Sequence, residues 1–133
     1  MFALAILLLT GCAANSLNDL YEKGYQQSDV IPVNYQAAFR NLRMKLDECI
    51  GLNGRMLDRT KINNQIYTDI EEGQFTWVMT NAFSSDSPMT DIRLKKIDKN
   101  NTKIVVTSIS KTSINNWYEK YKSWASGNFT PCR

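Results

Sequence analysis

The spacing of apolar residues predicts a helix, then strands, then a second helix. From Asn34, a residue that favours helix N-caps, apolar side chains recur every three or four positions until Gly51. A second pattern of this kind begins after Thr112 or Ser113, either of which is a good cap, and ends before Gly127. The apolar positions are Tyr35, Ala38, Phe39, Leu42, Leu46, Cys49 and Ile50 in the first helix, and Ile114, Trp117, Tyr118, Tyr121, Trp124 and Ala125 in the second.

Between the two helices, apolar residues recur at every second position, as they do in β-strands with one buried face. Asparagine, glycine and charged residues separate these runs and predict tight turns, which favour antiparallel pairing. The predicted strands are residues 55–62, 65–70, 75–83, 90–97 and 102–109, and the predicted connections are residues 63–64, 71–74, 84–88 and 99–101.

This order of elements predicts an α+β fold with two layers. We expect a four- to five-stranded antiparallel meander sheet, with the N-terminal and C-terminal helices packed on one face and water on the other. A small barrel capped by helices is the alternative. Trp117, Tyr121 and Trp124 share one stripe of the last helix and are expected in the core. If this stripe were exposed, the aromatic rings would instead form a platform for sugars.

The N-terminal region is divided into an apolar run and a polar segment. Residues 2–9 are uninterruptedly apolar, which is too short to span a bilayer but typical of the hydrophobic region of a secretory signal. The alternative is a buried strand or helix formed by residues 1–12. Residues 13–33 are mostly polar and predict a tether, with a weak helical pattern around residues 17–23, so the domain is predicted to span residues 34–133.

The residues that follow the apolar run, Leu9-Thr10-Gly11-Cys12, resemble the lipobox of bacterial lipoproteins. The resemblance implies that residues 1–11 are a signal peptide and that Cys12 becomes an acylated first residue, which anchors the protein to a membrane. Ala13 and Ala14 follow, without the Asp that often marks inner-membrane retention in this family. The resemblance therefore implies the outer membrane, facing the periplasm, in preference to the inner membrane. No Lys or Arg precedes the apolar run, which departs from the usual signal pattern and leaves the true start open.

Acylation of Cys12 would leave two further cysteines, Cys49 and Cys132. In the oxidising compartment that the lipobox implies, we expect these two to form a disulfide. Closing a loop of this length would stabilise the domain by about 4 kcal/mol in the loop-entropy description. Two free, buried thiols are the alternative.

Charge and residue types argue against several functions. The net charge of +3 is too small to indicate nucleic-acid binding. The chain contains no His, so it lacks the commonest general base and the usual zinc ligand. Glu71 and Glu72 fall in a predicted turn, where a solvated pair is the simpler interpretation. We expect no enzyme activity, no cofactor and no metal site.

The sheet face without predicted helices is the candidate partner surface. Strand alternation places Tyr67, Thr76, Val78 and Thr80 there, with Lys95 and Lys103 as flanking residues. Such a face suits docking to an envelope protein or self-association. The sequence therefore predicts a non-catalytic, membrane-anchored envelope lipoprotein that binds or scaffolds other proteins. The alternative is a carbohydrate- or lipid-handling module, which would bind peptidoglycan or another glycan or act as a weak carboxylate hydrolase.

Overall fold

A computed structural model describes residues 16–51, 60–80 and 86–132. The predicted signal peptide and Cys12 lie outside these residues. The described parts form three helices and five strands: α1 (Leu17–Lys23), β1 (Tyr25–Ile31), α2 (Tyr35–Cys49), β2 (Thr60–Tyr67), β3 (Glu72–Met79), β4 (Ser87–Asp98), β5 (Asn101–Ser108) and α3 (Lys111–Ala125).

The five strands form one antiparallel sheet in the order β1-β5-β4-β3-β2. Strands β2 to β5 are a meander, as predicted, and β1 adds to the outer side of β5. Strands β1 and β2 occupy opposite edges, so the sheet is open. The predicted α+β class is confirmed, and the barrel alternative is wrong.

Helices α2 and α3 pack on the same face of the sheet, which confirms the predicted layout. The Asn34 side chain accepts N–H bonds at the start of α2, as predicted. Ser110 caps α3, so this helix begins slightly earlier than the sequence indicated. Trp124 and Tyr121 are buried in the core and Trp117 packs against it. The other buried apolar residues of this layer include Phe39, Leu42, Leu46, Phe75, Ile92, Leu94, Ile104, Val106, Ile114 and Tyr118.

The segment predicted to be a tether is instead part of the folded unit from residue 16 onward. Residues 25–31 form β1, which pairs with β5 along its whole length. Helix α1 packs against β4 and β5 on the face opposite α2 and α3, and its Leu20 is fully buried. The sequence pattern concealed β1 because six of its seven residues are exposed at a sheet edge. The second sheet face, expected to contact water, is therefore partly covered by α1.

Gly24 makes the close junction between α1 and β1 possible. A Cβ atom at this position would lie 2.5 Å from the Leu20 carbonyl oxygen and 3.0 Å from the Ser108 carbonyl oxygen. Both are backbone atoms that cannot rotate away. A residue without a side chain therefore lets α1 fold back directly onto the sheet.

Strand β2 differs from the prediction. Asn63 and Asn64, predicted as a turn, lie inside β2 and pair with Thr76 and Phe75 of β3. The turn lies at residues 68–71, where Glu71 adopts a φ of 54°, and β3 already begins at Glu72. Both asparagines are exposed on an edge strand, where polar side chains are tolerated. Two parts of the predicted strands lie outside the described residues. These are residues 55–59 of the first predicted strand and residues 81–83 of the third.

Candidate functional site

Polar side chains collect on the sheet face that carries α1. The antiparallel register places residues of β2, β3 and β4 side by side in two adjacent rows. Residues directly opposite each other in such pairs point to the same face. We term the following six residues the polar face: Asn63, Thr76 and Asp91 in one row, and Gln65, Gln74 and Arg93 in the next.

Asp91 lies on β4, at the end of its row in the polar face, and is only 1% exposed. Its carboxylate accepts hydrogen bonds from the Tyr21 hydroxyl (2.8 Å), Gln74 Nε2 (2.8 Å) and Thr76 Oγ1 (3.0 Å). A buried carboxylate is tolerated only when such donors replace its water. Asp91 therefore ties α1 to β3 and β4.

Tyr21 links Asp91 to a neighbouring ion pair. Arg93 Nη1 lies 3.1 Å from Glu72 Oε2, and Arg93 Nη2 donates to the Tyr21 hydroxyl at 3.2 Å. Burial, together with the hydrogen bond to the Asp91 carboxylate and the charge of that group, raises the pKa of Tyr21 to about 12. At neutral pH the hydroxyl therefore keeps its proton, accepting from Arg93 while donating to Asp91.

A shallow pocket of about 180 Å³ lies beside this network, over β2 and β3. The Tyr67 hydroxyl bridges two of its amides, at 3.2 Å from Gln65 Oε1 and 3.3 Å from Gln74 Oε1. The lining consists of amide and hydroxyl side chains and no charged group, so the pocket offers hydrogen bonds to a neutral polar group. It is lined by Asn63, Asn64, Gln65, Tyr67, Gln74 and Thr76.

The structure brings some of the predicted partner residues together. Tyr67 and Thr76 line the same pocket. Thr76 and Val78, however, are 8% and 6% exposed and offer little area to a partner. Thr80 directly follows β3 and is partly buried. Val78 and Thr80 do not line the pocket, which therefore lies at the Tyr67 end of the predicted surface.

The predicted flanking lysines and two unpredicted residues complete this face. Lys95 and Lys103 are directly opposite each other on β4 and β5, and both are exposed. Sequence reasoning missed Asp91 and Tyr21. The available signal was an acidic residue at an alternating position of a strand, together with the weak helical pattern around Tyr21.

Cys49 and Cys132 form the predicted disulfide, with a Cα–Cα distance of 5.4 Å. The bridge joins the end of α2 to the C-terminal segment. The same segment is held by Trp124 Nε1, which donates to the Thr130 carbonyl at 2.9 Å, and by Lys120 Nζ, which donates to the Cys132 carbonyl at 2.8 Å. Three separate contacts therefore fix the last described residues on α2 and α3.

The acidic pair considered for catalysis is engaged in ion pairs. Glu71 Oε1 lies 2.9 Å from Lys96 Nζ, and Glu72 pairs with Arg93. Across residues 16–51, 60–80 and 86–132, His, Cys, Asp and Glu side chains form no group of three placed to hold a metal ion. In the same ranges no helix is long and apolar enough to cross a bilayer.

Comparison with known proteins yields no family: no protein-family model matches this chain, and no curated protein matches it. Function is therefore inferred from the chain's own residues. The features that bear on it are the disulfide, the uncharged pocket and the two edges of the sheet.

Proposed function

We propose that this chain is a lipid-anchored, non-catalytic protein of the bacterial envelope that binds another envelope protein beside β2. The lipobox-like residues Leu9-Thr10-Gly11-Cys12 support the anchor and favour the outer membrane, facing the periplasm. The observation that best supports export from the cytoplasm is the Cys49–Cys132 bridge, because disulfides persist in oxidising compartments.

The two sheet edges differ in their capacity to receive a partner strand. At the β1 edge, the Asp29 carboxylate accepts the Val30 N–H at 2.8 Å and lies 3.3 Å from Lys122 Nζ. A charged side chain placed in this way opposes pairing with another strand. Strand β2 pairs with β3 alone among the described strands. An extended peptide that adds to β2 would place a side chain beside the uncharged pocket, which would supply specificity.

Intact mass spectrometry of protein extracted from membranes tests the anchor and the compartment. We expect loss of residues 1–11, added acyl mass on Cys12, and a Cys49–Cys132 bridge that survives extraction without reductant. Full-length chain without acyl mass and with all three thiols reduced would contradict the proposal.

Site-specific photo-crosslinking in cells tests the binding surface. A photoreactive phenylalanine at Tyr67 should give a discrete adduct with another protein, whereas the same group at the exposed Tyr25 of β1 should not. An adduct of twice the chain mass would identify the partner as a second copy. No adduct at Tyr67, or equal adducts at both positions, would contradict binding beside β2.

A glycan is the second candidate ligand, because amide and hydroxyl side chains line the pocket without a charge. Such groups match the hydroxyl and acetamido groups of sugars. The volume of about 180 Å³ is below that of a typical pocket for a drug-sized ligand, so it accommodates a single sugar ring at most. The hydrolase variant is not favoured, because Glu71 and Glu72 are both paired with basic side chains.

Nuclear magnetic resonance titration with soluble peptidoglycan fragments tests this candidate. Glycan binding should shift the side-chain amide signals of Asn63 and Gln65, and Asn63→Ala should weaken the effect. The exposed Gln27 of β1 provides a matched control, since Gln27→Ala should leave binding unchanged. Absence of shifts at millimolar fragment would exclude the glycan candidate.

A further inference from the structure

The described fold leaves little chain between the proposed anchor and the domain. Ser16 caps α1 and is only four positions from Cys12. Those four residues span at most roughly 14 Å, whereas the tether predicted from the sequence would reach roughly five times as far. A folded chain of this size has a radius of gyration of roughly 13 Å. If Cys12 is acylated, the start of α1 is therefore held within roughly 14 Å of the bilayer surface.

The position of α1 limits which side of the domain faces the lipid. Helix α1 joins β1 through Gly24 alone, and β1 starts opposite Ser108, the last residue of β5. Because α1 also contacts β4 and β5, it folds back over the sheet. The Tyr21 hydroxyl of α1 contacts Asp91 and Arg93 of β4, which pair with Thr107 and Val105, so this side chain extends from the Ser108 end towards the other end of the sheet. This direction favours contact with the other end of the sheet.

That other end of the sheet carries two exposed isoleucines. We term it the turn end, comprising residues 68–71 and 95–103. Glu72 is opposite Lys95, and the Lys96 N–H donates to the Glu71 carbonyl at 3.2 Å. Ile70 lies in the turn at residues 68–71 and Ile97 lies near the end of β4, and these side chains are 56% and 51% exposed.

Basic side chains lie at the same end of the sheet. Lys95, Lys99 and Lys103 are exposed and have no ion pair within the described ranges, while Lys96 pairs with Glu71. Asp69 and Asp98 lie at the same end, so its net charge is small. The Asp98 carboxylate accepts the Asn100 N–H and the Asn101 side-chain amide. Apolar side chains beside long lysines are typical of surfaces that rest in a membrane interface.

We propose that the turn end contacts the bilayer interface, with Ile70 and Ile97 inserted among the lipid headgroups and the three lysines near lipid phosphates. This inference rests on the proposed acylation of Cys12. The anchor brings the surface to the membrane, and the isoleucines and lysines orient it.

Lysine acetylation, read by mass spectrometry, tests this orientation with the acylated protein in nanodiscs of phosphatidylethanolamine and phosphatidylglycerol. Each rate is normalised to that of the same lysine in unfolded protein. Lys99 lies at the turn end, and Lys111 is an exposed lysine at the opposite end, where α3 begins. We expect Lys99 to react at least threefold more slowly than Lys111. Equal rates, or slower reaction of Lys111, would overturn the inference.

Matched variants separate membrane contact from other shielding. Replacing both isoleucines, Ile70→Ser with Ile97→Ser, should bring the Lys99 rate to within twofold of the Lys111 rate. Met44→Ser removes an equally exposed apolar side chain from α2 and should change neither rate. The intact mass of the same sample shows which proposal fails. Missing acyl mass contradicts the anchor, whereas an acylated chain with a reactive Lys99 contradicts only the orientation.

Discussion

Asp91 is the residue on which the polar face depends. Its carboxylate is buried and is balanced by hydrogen bonds from Tyr21, Gln74 and Thr76. Hydrogen bonds to a charged group are stronger than those between neutral groups, and each unpaired buried donor is costly. One side chain thus holds an N-terminal helix against two central strands.

Removing this carboxylate should destabilise the fold. Asp91→Ala leaves three donors without their acceptor, and we expect the free energy of unfolding to fall by about 3 kcal/mol. Urea denaturation followed by circular dichroism measures the loss. Asp91→Asn retains one acceptor oxygen and should lose less. A loss below about 1 kcal/mol in Asp91→Ala would contradict the role assigned to the hydrogen bonds.

Tyr21 makes stability depend on pH above neutrality. Burial and the Asp91 carboxylate raise its pKa from 10.0 to about 12. The protonated form is therefore favoured in the folded state, and its contribution is complete below pH 10 and is lost as the pH rises towards 12. We expect the urea midpoint to fall over this range by more in the wild type than in Tyr21→Phe. Parallel pH profiles for the two proteins would show that Tyr21 contributes nothing to this dependence.

The C-terminal segment is an element without regular structure that depends on side-chain contacts. The disulfide closes a loop with a sequence separation of 83 residues, and Trp124 and Lys120 bind the same segment. These contacts pack the last turn of α3 and the residues that follow it into one unit. The bridge also joins α2 to this unit.

Replacing both bridge cysteines should weaken the domain. We expect Cys49→Ser with Cys132→Ser to lower the free energy of unfolding by about 4 kcal/mol, because the unfolded chain gains the freedom of an open loop. Hydrogen exchange should also become faster at residues 127–132. Wild-type protein treated with reductant provides the control and should behave like the double variant. An unchanged denaturation midpoint would contradict a stabilising role for the bridge.

Some helices and strands were predicted correctly from the local sequence pattern, and others were not. Helices α2 and α3 were predicted because each buries one continuous stripe against the sheet, which produces a period near 3.6 in the sequence. The Asn63-Asn64 turn was wrong because turn-forming residues also occur on exposed edge strands. Their place in β2 is determined by pairing with Thr76 and Phe75 of β3. This pairing leaves no signal in the residues next to the two asparagines in the sequence.

The folded unit begins before residue 34, the boundary predicted from the sequence. Strand β1 completes the sheet beside β5, and α1 covers part of the second face. Leu20 and Ile31 are both buried, and Tyr21 reaches Asp91. Residues 16–33 are therefore part of the folded domain.

Two truncations distinguish a tether from a structural segment. Removing residues 1–33 exposes the β5 edge and loses two buried apolar side chains, which together contribute roughly 3 to 6 kcal/mol. Because small domains are stable by only about 5–15 kcal/mol, this form should unfold or aggregate at ordinary temperature. Removing only residues 1–15 should give a folded monomer. Circular dichroism and size-exclusion chromatography report both results. A cooperative, monomeric 34–133 fragment would show that α1 and β1 are dispensable.

The amino-acid sequence by itself determined the elements whose stability shows in a local pattern. These are the two amphipathic helices, most of the central strands and the pairing of Cys49 with Cys132. In the helices and strands, burial of one face leaves a regular period along the chain. The cysteine pair was predicted by count, since acylation of Cys12 would leave only Cys49 and Cys132.

Only the tertiary structure showed that residues 16–33 belong to the fold and which residues form the polar face. The N-terminal segment is mostly polar and becomes ordered through backbone hydrogen bonds with β5 and a few buried side chains. Asp91, Tyr21 and the pocket residues meet because strand register and helix docking bring distant positions together. Such contacts depend on partners that no local window of sequence contains.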